Sequence, residues 1–225
     1  MIAENLQKIK SNLPSHVTLV AVSKTKPVEV LMEAYHAGQR VFGENKVQEM
    51  VEKQQQMPND VEWHMIGHVQ TNKVKYMAPF VSLIHGVDSL KLLKEVNRQA
   101  EKNNRTINCL LQVHIAEEET KFGLNANELK VLLASEEFNQ LKCIKVVGLM
   151  GMATFTENQT QIEKEFRFLK SLFDAYKNLK THNCQFKTLS MGMSGDYQLA
   201  VVCGSTMVRI GSSIFGERNY TLLST

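Results

Sequence analysis

A handful of residues in this chain have types and spacings that could do chemistry. Lys24 directly follows the apolar run 17–22 (VTLVAV), in the string Ser23-Lys24-Thr25-Lys26-Pro27. An amine with low-dielectric walls behind it loses its proton more readily, which suits Schiff-base formation. The bland alternative leaves Lys24 and Lys26 as solvated loop lysines, with Lys26, beside Pro27, the clearer loop residue. Asn45 follows Gly43-Glu44 and either presents an amide to a ligand oxygen or caps a helix around Val47, Met50 and Val51. Two turns rich in Gly and Ser, Ser190-Met191-Gly192-Met193-Ser194-Gly195-Asp196 and Arg209-Ile210-Gly211-Ser212-Ser213, let backbone N–H groups approach an anion. Their joint presence favours phosphate over a pair of ordinary turns. Arg209 interrupts the otherwise apolar run MVRI. A buried, unpaired guanidinium is costly, so it must face solvent, meet a carboxylate or donate to a ligand. It also keeps its own proton, so a heterocyclic nitrogen beside it stays unprotonated. His64 reads as a hydrogen-bonded core histidine; no His or carboxylate stands at metal-ligand spacing from it, and no metal site is expected.

The elements that must position these residues follow from apolar periodicity. Candidate strands are Val17–Val22, Arg40–Gly43, Glu62–Ile66, Ser82–Val87, Asn108–Ile115, Lys145–Met150, Lys187–Met191 and Met207–Ile210. Most are apolar without strict alternation, as strands covered on both faces are. Between them run helical patterns. Leu93, Val96 and Ala100 follow Ser89 as a possible N-cap, and Ile162, Phe166, Leu169, Phe173 and Tyr176 share one helix face. A helix opening at Pro27 closes at Gly38, and Ile2, Leu6 and Ile9 mark an extra helix ahead of the first strand. Eight strands alternating with helices predict an α/β fold, a (β/α)8 TIM barrel, as one domain over residues 1–225. A doubly wound open sheet is the alternative. In a barrel, the strand C-termini form the active face, and the turns after the last two strands are the usual phosphate site.

Composition narrows the function classes. With 43% hydrophobic and 22% charged residues, the 225-residue chain has an ordinary globular composition. A net charge of +3 is too weak to argue for nucleic acid or anionic lipid as partner. No apolar stretch approaches the ~18 residues of a membrane span, and MIAENLQKIK lacks the apolar core of a secretory signal. Cys109, Cys143, Cys184 and Cys203 form no CxxC pair, so free thiols and a cytoplasmic location are expected.

The strings AVSKTKP, FGENKVQE, WHMIGHVQTNK, GLMGMA, LSMGMSGD and STMVRIGSSIFGER, in this order between Val17 and Arg218, resemble the pyridoxal phosphate homeostasis protein family. The resemblance implies a fold-type III barrel similar to the N-terminal domain of alanine racemase, with pyridoxal 5′-phosphate (PLP) as cofactor. It implies that Lys24 forms the internal aldimine, that Asn45 lies near the ring and that Arg209 approaches the pyridine nitrogen. Ser190, Ser194, Gly211 and Ser212 fall in the segments that hold the phosphate.

A protonated pyridine nitrogen makes PLP a strong electron sink, and an arginine in that place weakens the sink. Racemases with this arrangement draw a second acid/base from another domain or subunit, and the expected single domain has no room for one. The expectation is therefore a non-catalytic protein, monomeric by default, that carries or buffers PLP and passes it to PLP-dependent apo-enzymes. A racemase-like enzyme and a Schiff-base aldolase with a phosphorylated sugar are the alternatives.

Overall fold

In the computed structural model, which describes residues 1–118 and 122–217, the apolar runs become parallel strands. They are β1 (Thr18–Val22), β2 (Val41–Glu44), β3 (Glu62–Met65), β4 (Leu83–Val87), β5 (Ile107–Gln112), β6 (Ile144–Met150), β8 (Cys184–Ser190) and β9 (Met207–Ile210), with a two-residue β7 (Lys180–Thr181) between. Neighbours run β6-β5-β4-β3-β2-β1-β9-β8, and β6 also pairs with β8, so the eight parallel strands close on themselves. That closure selects the barrel over the open sheet. β7 lies antiparallel on the start of β8, outside the ring.

Helices separate the strands, the longest being Leu90–Lys102 and Gln159–Tyr176. Their starts have local causes: the Ser89 hydroxyl accepts from the Leu92 amide at 3.3 Å, and Asn125 and Glu128 form a reciprocal capping box. The extra N-terminal helix, Ile2–Asn12, buries Leu6 and Ile9. No helix among the described residues is long and apolar enough to cross a membrane.

Apolar residues pack in two places. The larger group fills the layer between strands and helices. A smaller one, Val20, Leu83, Leu110, Met150 and Met207, lies inside the barrel. Along each strand alternate residues point inward, so the interior also receives His64 from β3, His85 from β4 and Arg209 from β9.

Two expected boundaries shift for physical reasons. The fifth strand ends at Gln112 rather than Ile115, because Leu124 returns to form a parallel bridge with Val113: Leu124 N–H donates to Gln112 O, and His114 N–H donates to Leu124 O. The seventh barrel strand begins at Cys184 rather than Lys187, because β7 folds onto it. The expected domain runs to Thr225, and its last residues, Arg218 among them, lie outside the described ones.

Candidate functional site

Lys24, Asn45, Ser190, Ser194, Arg209, Gly211 and Ser212 all stand at or just beyond the C-terminal ends of four consecutive barrel strands, β8, β9, β1 and β2. Lys24 and Ser212, 188 positions apart in sequence, thus share one half of the active face.

Lys24 is half-buried in the turn after β1. The turn is held by residues that spacing did not single out. The Ser23 hydroxyl donates to Glu44 Oε1 at 2.6 Å, and Lys53 Nζ reaches Ser23 O at 2.8 Å, Glu44 Oε1 at 2.7 Å and Glu49 Oε1 at 2.7 Å. Glu49 also accepts from the Thr25 amide at 2.6 Å. Thr25 has φ +64°, a left-handed conformation that a β-branched residue rarely adopts and that persists only where its surroundings enforce it. Burial raises the Glu44 carboxyl above the usual range, against the opposing pull of Lys53. Lys26 points elsewhere: its Nζ donates to Phe215 O and Glu217 O, each at 3.0 Å, which gives it a structural task.

Asn45 caps nothing. The helix Val47–Gln54 has Lys46 at its N-cap and no side-chain cap. The Asn45 amide oxygen is instead buried without a hydrogen-bond partner. Its backbone is pressed by Gly67, where a Cβ would sit 2.4 Å from Asn45 O.

The two Gly/Ser turns meet directly, the Ser194 hydroxyl accepting from the Gly211 amide at 3.2 Å. Gly211 packs on the end of β1, where a Cβ would come within 3.1 Å of Val22 O. Among the described residues, the amides of Ser194, Gly195, Ser212 and Ser213 find no acceptor, so four donors are available at this junction. Ser190 lies lower. It is fully buried, and its hydroxyl accepts from Arg209 Nη1 at 2.5 Å and meets His85 Nδ1 at 3.1 Å.

Arg209 is 3% exposed and donates its other terminal nitrogen to Gly151 O at 3.0 Å. Asp196 is the carboxylate whose charge acts on it, opposing the effect of burial. Burial lowers its pKa to about 10, so it remains charged at neutral pH. Below it, His85 Nε2 meets His64 Nδ1 at 3.1 Å. His64 is thus the hydrogen-bonded interior histidine its sequence context suggests, with its pKa pushed down to about 3 by burial. Among the described residues, no cluster of His, Cys, Asp or Glu could hold a metal.

Glu44, Glu49 and Lys53 had a faint signal: a carboxylate ending an apolar strand, then an i, i+4 acid–base pair one helix turn on. His85 had none beyond sitting in an apolar run.

The chain is similar to several known proteins. Residues 1–219 match the family model described as alanine racemase, N-terminal domain. A pyridoxal phosphate homeostasis protein of Aquifex aeolicus is 42% identical over 203 residues, covering 90% of this chain and 87% of that protein. The protein of the same name from Escherichia coli is 36% identical, covering 98% of each chain. Among solved structures, PipY of Synechococcus elongatus without PLP superimposes with a TM-score of 0.90 at 35% identity, covering 96% of this chain and all of that one. The same protein with PLP bound gives 0.87. Alanine racemase of Clostridium difficile, at 17% identity and a TM-score of 0.74, shares the fold; the match covers 98% of this chain and 57% of the racemase.

Proposed function

The chain belongs to the family of pyridoxal phosphate homeostasis proteins, and from that premise we propose that it binds PLP reversibly through the Lys24 amine as a non-catalytic carrier or buffer. The observation that carries this reading is the set of groups on four neighbouring strand ends. A lysine, a buried amide oxygen without a partner, four unengaged amides and a buried guanidinium stand together there. A phosphorylated pyridine aldehyde has a complementary part for each. The PipY relative, whose structure holds PLP, supports the same cofactor.

When bound, PLP supplies an aldehyde that condenses with amines and a ring that can accept electrons. The residues of this chain have distinct tasks around it. Lys24 offers the amine, held in a turn that the Glu44–Lys53–Glu49 cluster fixes. Asn45 offers its amide to the ring hydroxyl. Ser194, Gly211 and Ser212, with the amides beside them, would hold the phosphate. Arg209 would face the ring nitrogen and, keeping its own proton, would leave the ring a weak sink. Ser190 contributes by holding Arg209 rather than by reaching the phosphate. Weak electron withdrawal at a lysine-bound cofactor suits storage and transfer better than turnover at an amino-acid α-carbon. The chain then acts as one cytoplasmic, monomeric PLP-binding domain over residues 1–225, with an N-terminal extra helix, and serves PLP-dependent apo-enzymes.

Spectral titration of the purified protein with PLP tests the reading. Binding is expected to change the visible absorption, Lys24→Ala to abolish that change, and Lys26→Ala to leave it. No spectral change in the wild-type protein would sink the proposal. Loaded protein should then activate a defined apo-enzyme, and amino acids incubated with it in deuterated water should gain no sustained α-deuterium. Steady exchange would mark a racemase-like enzyme instead.

A further inference from the structure

The centre of a barrel of this kind is ordinarily filled by branched apolar side chains. Here a polar file crosses it. Arg209 Nη1 donates to Ser190 Oγ, Ser190 Oγ meets His85 Nδ1, and His85 Nε2 meets His64 Nδ1. All four residues are buried. His64 Nε2 engages no described residue, and His64 lines a cavity of about 380 Å³ together with Glu62, Leu83, Asn108, Lys187 and Met207. Glu62, Leu83 and Met207 open their strands, so this cavity is at the N-terminal end of the barrel, opposite the candidate site. The file therefore runs from the active face to solvent at the base.

Its direction follows from counting protons. A neutral imidazole has one N–H and one acceptor, and a hydroxyl has one O–H. Suppose His85 donated from Nδ1 to Ser190. The Ser190 oxygen would then accept from both His85 and Arg209, and its own O–H would need another acceptor. Among the described residues, none contacts that hydroxyl, which is fully buried. A buried donor without an acceptor is strongly disfavoured. In the opposite order every group is satisfied: Arg209 donates to Ser190, Ser190 to His85 Nδ1, His85 Nε2 to His64 Nδ1, and His64 Nε2 to the basal cavity. Burial keeps both imidazoles neutral at physiological pH, with His85 also opposed by His64 and Arg209.

We propose that His64 and His85 are positioning residues that, with Ser190, form a one-way hydrogen-bonded stem that holds and orients Arg209 from within the barrel. Every dipole of the stem turns its negative end toward the guanidinium. These neutral dipoles stabilise and aim Arg209 without setting a further negative charge against it beside that of Asp196. The effect on the cofactor rests on the PLP reading above; the proton order of the stem does not.

Nitrogen-15 NMR of histidine-labelled protein without PLP tests the order at neutral pH. Both His64 and His85 should be neutral and carry their proton on Nε2. An Nδ1–H form or an imidazolium at either residue overturns the stem. PLP titration then compares His85→Leu, which breaks the file, with His85→Gln, which restores an acceptor and a donor in series. We expect His85→Leu to weaken PLP binding about tenfold and shift the visible spectrum of the bound form, and His85→Gln to recover affinity to within about threefold of wild type. A folded His85→Leu protein with wild-type affinity and spectrum overturns the positioning role. Should His85→Leu fail to fold, a His85→Gln protein with neither affinity nor spectrum recovered does the same. Failure of the wild type to bind PLP would refute the cofactor reading and leave the NMR result to judge the stem alone.

Discussion

At Lys53, an ammonium only 5% exposed meets two carboxylates and the carbonyl that precedes Lys24. Removing one partner of a buried pair leaves the other charge uncompensated, at a cost of about 3–5 kcal/mol, whereas replacing both can be nearly neutral. Lys53→Met should therefore destabilise the protein by about that amount, and Glu44→Gln combined with Lys53→Met should recover a large part of it. Urea denaturation of the two singles and the double measures the coupling; additive losses would show that the pair acts independently. Lys24 and Lys26 make the same point about context. They are two residues apart, yet one stands in the turn at the site while the other holds Phe215 O and Glu217 O. Strand proximity distinguished them in the sequence, but the carbonyls that occupy Lys26 come from the far end of the chain.

At the scale of elements, the barrel closes where β6 meets β8. The register slips around Val147 on both sides, between Cys109 and Leu110 of β5 and between Val146 and Gly148 of β6. Such a bulge bends a strand and increases its twist. Gly148 makes it possible: φ is +155°, and a Cβ would lie 1.7 Å from Thr188 O. Gly148→Ala should destabilise the fold by about 3 kcal/mol or more, combining strain and overpacking. Thermal unfolding measures this, and an unchanged midpoint would mean the closure tolerates a side chain there. The alternation of strands and helices was legible in sequence because burial on both faces leaves apolar runs of diagnostic length. The closing pair was not, because a bulge depends on partners distant in the chain. For the same reason the site's Lys, Arg and Gly/Ser turns were legible by type, while the clamp around Ser23 and the His64–His85 contact emerged only when the strands were placed side by side.

For the whole molecule, two buried imidazoles set a dependence on acidity. An unfolded histidine titrates near pH 6.5, roughly, while folding pushes His64 down to about 3 and His85 well below its ordinary value. Between these limits the unfolded chain takes up protons that the folded chain refuses. Stability contributed by the neutral imidazoles is thus present above about pH 6.5 and lost as pH falls, by about 1.4 kcal/mol per pH unit for each. Replacing His85 by Gln should flatten the stability–pH slope between about pH 6 and 4 by about one proton's worth, measured by denaturation across that range. An unchanged slope would show that His85 does not titrate on unfolding. The clamp around Lys24 bears on another property of the whole. Barrels of this architecture are often treated as rings of exchangeable βα units, each carrying its own loop. Here the conformation of the first loop, with Thr25 held at φ +64°, is dictated by Glu49 and Lys53 from the second unit. A lysine turn transplanted into another barrel without its neighbour would relax, so the smallest portable piece of this site spans two units, from β1 through the helix Val47–Gln54.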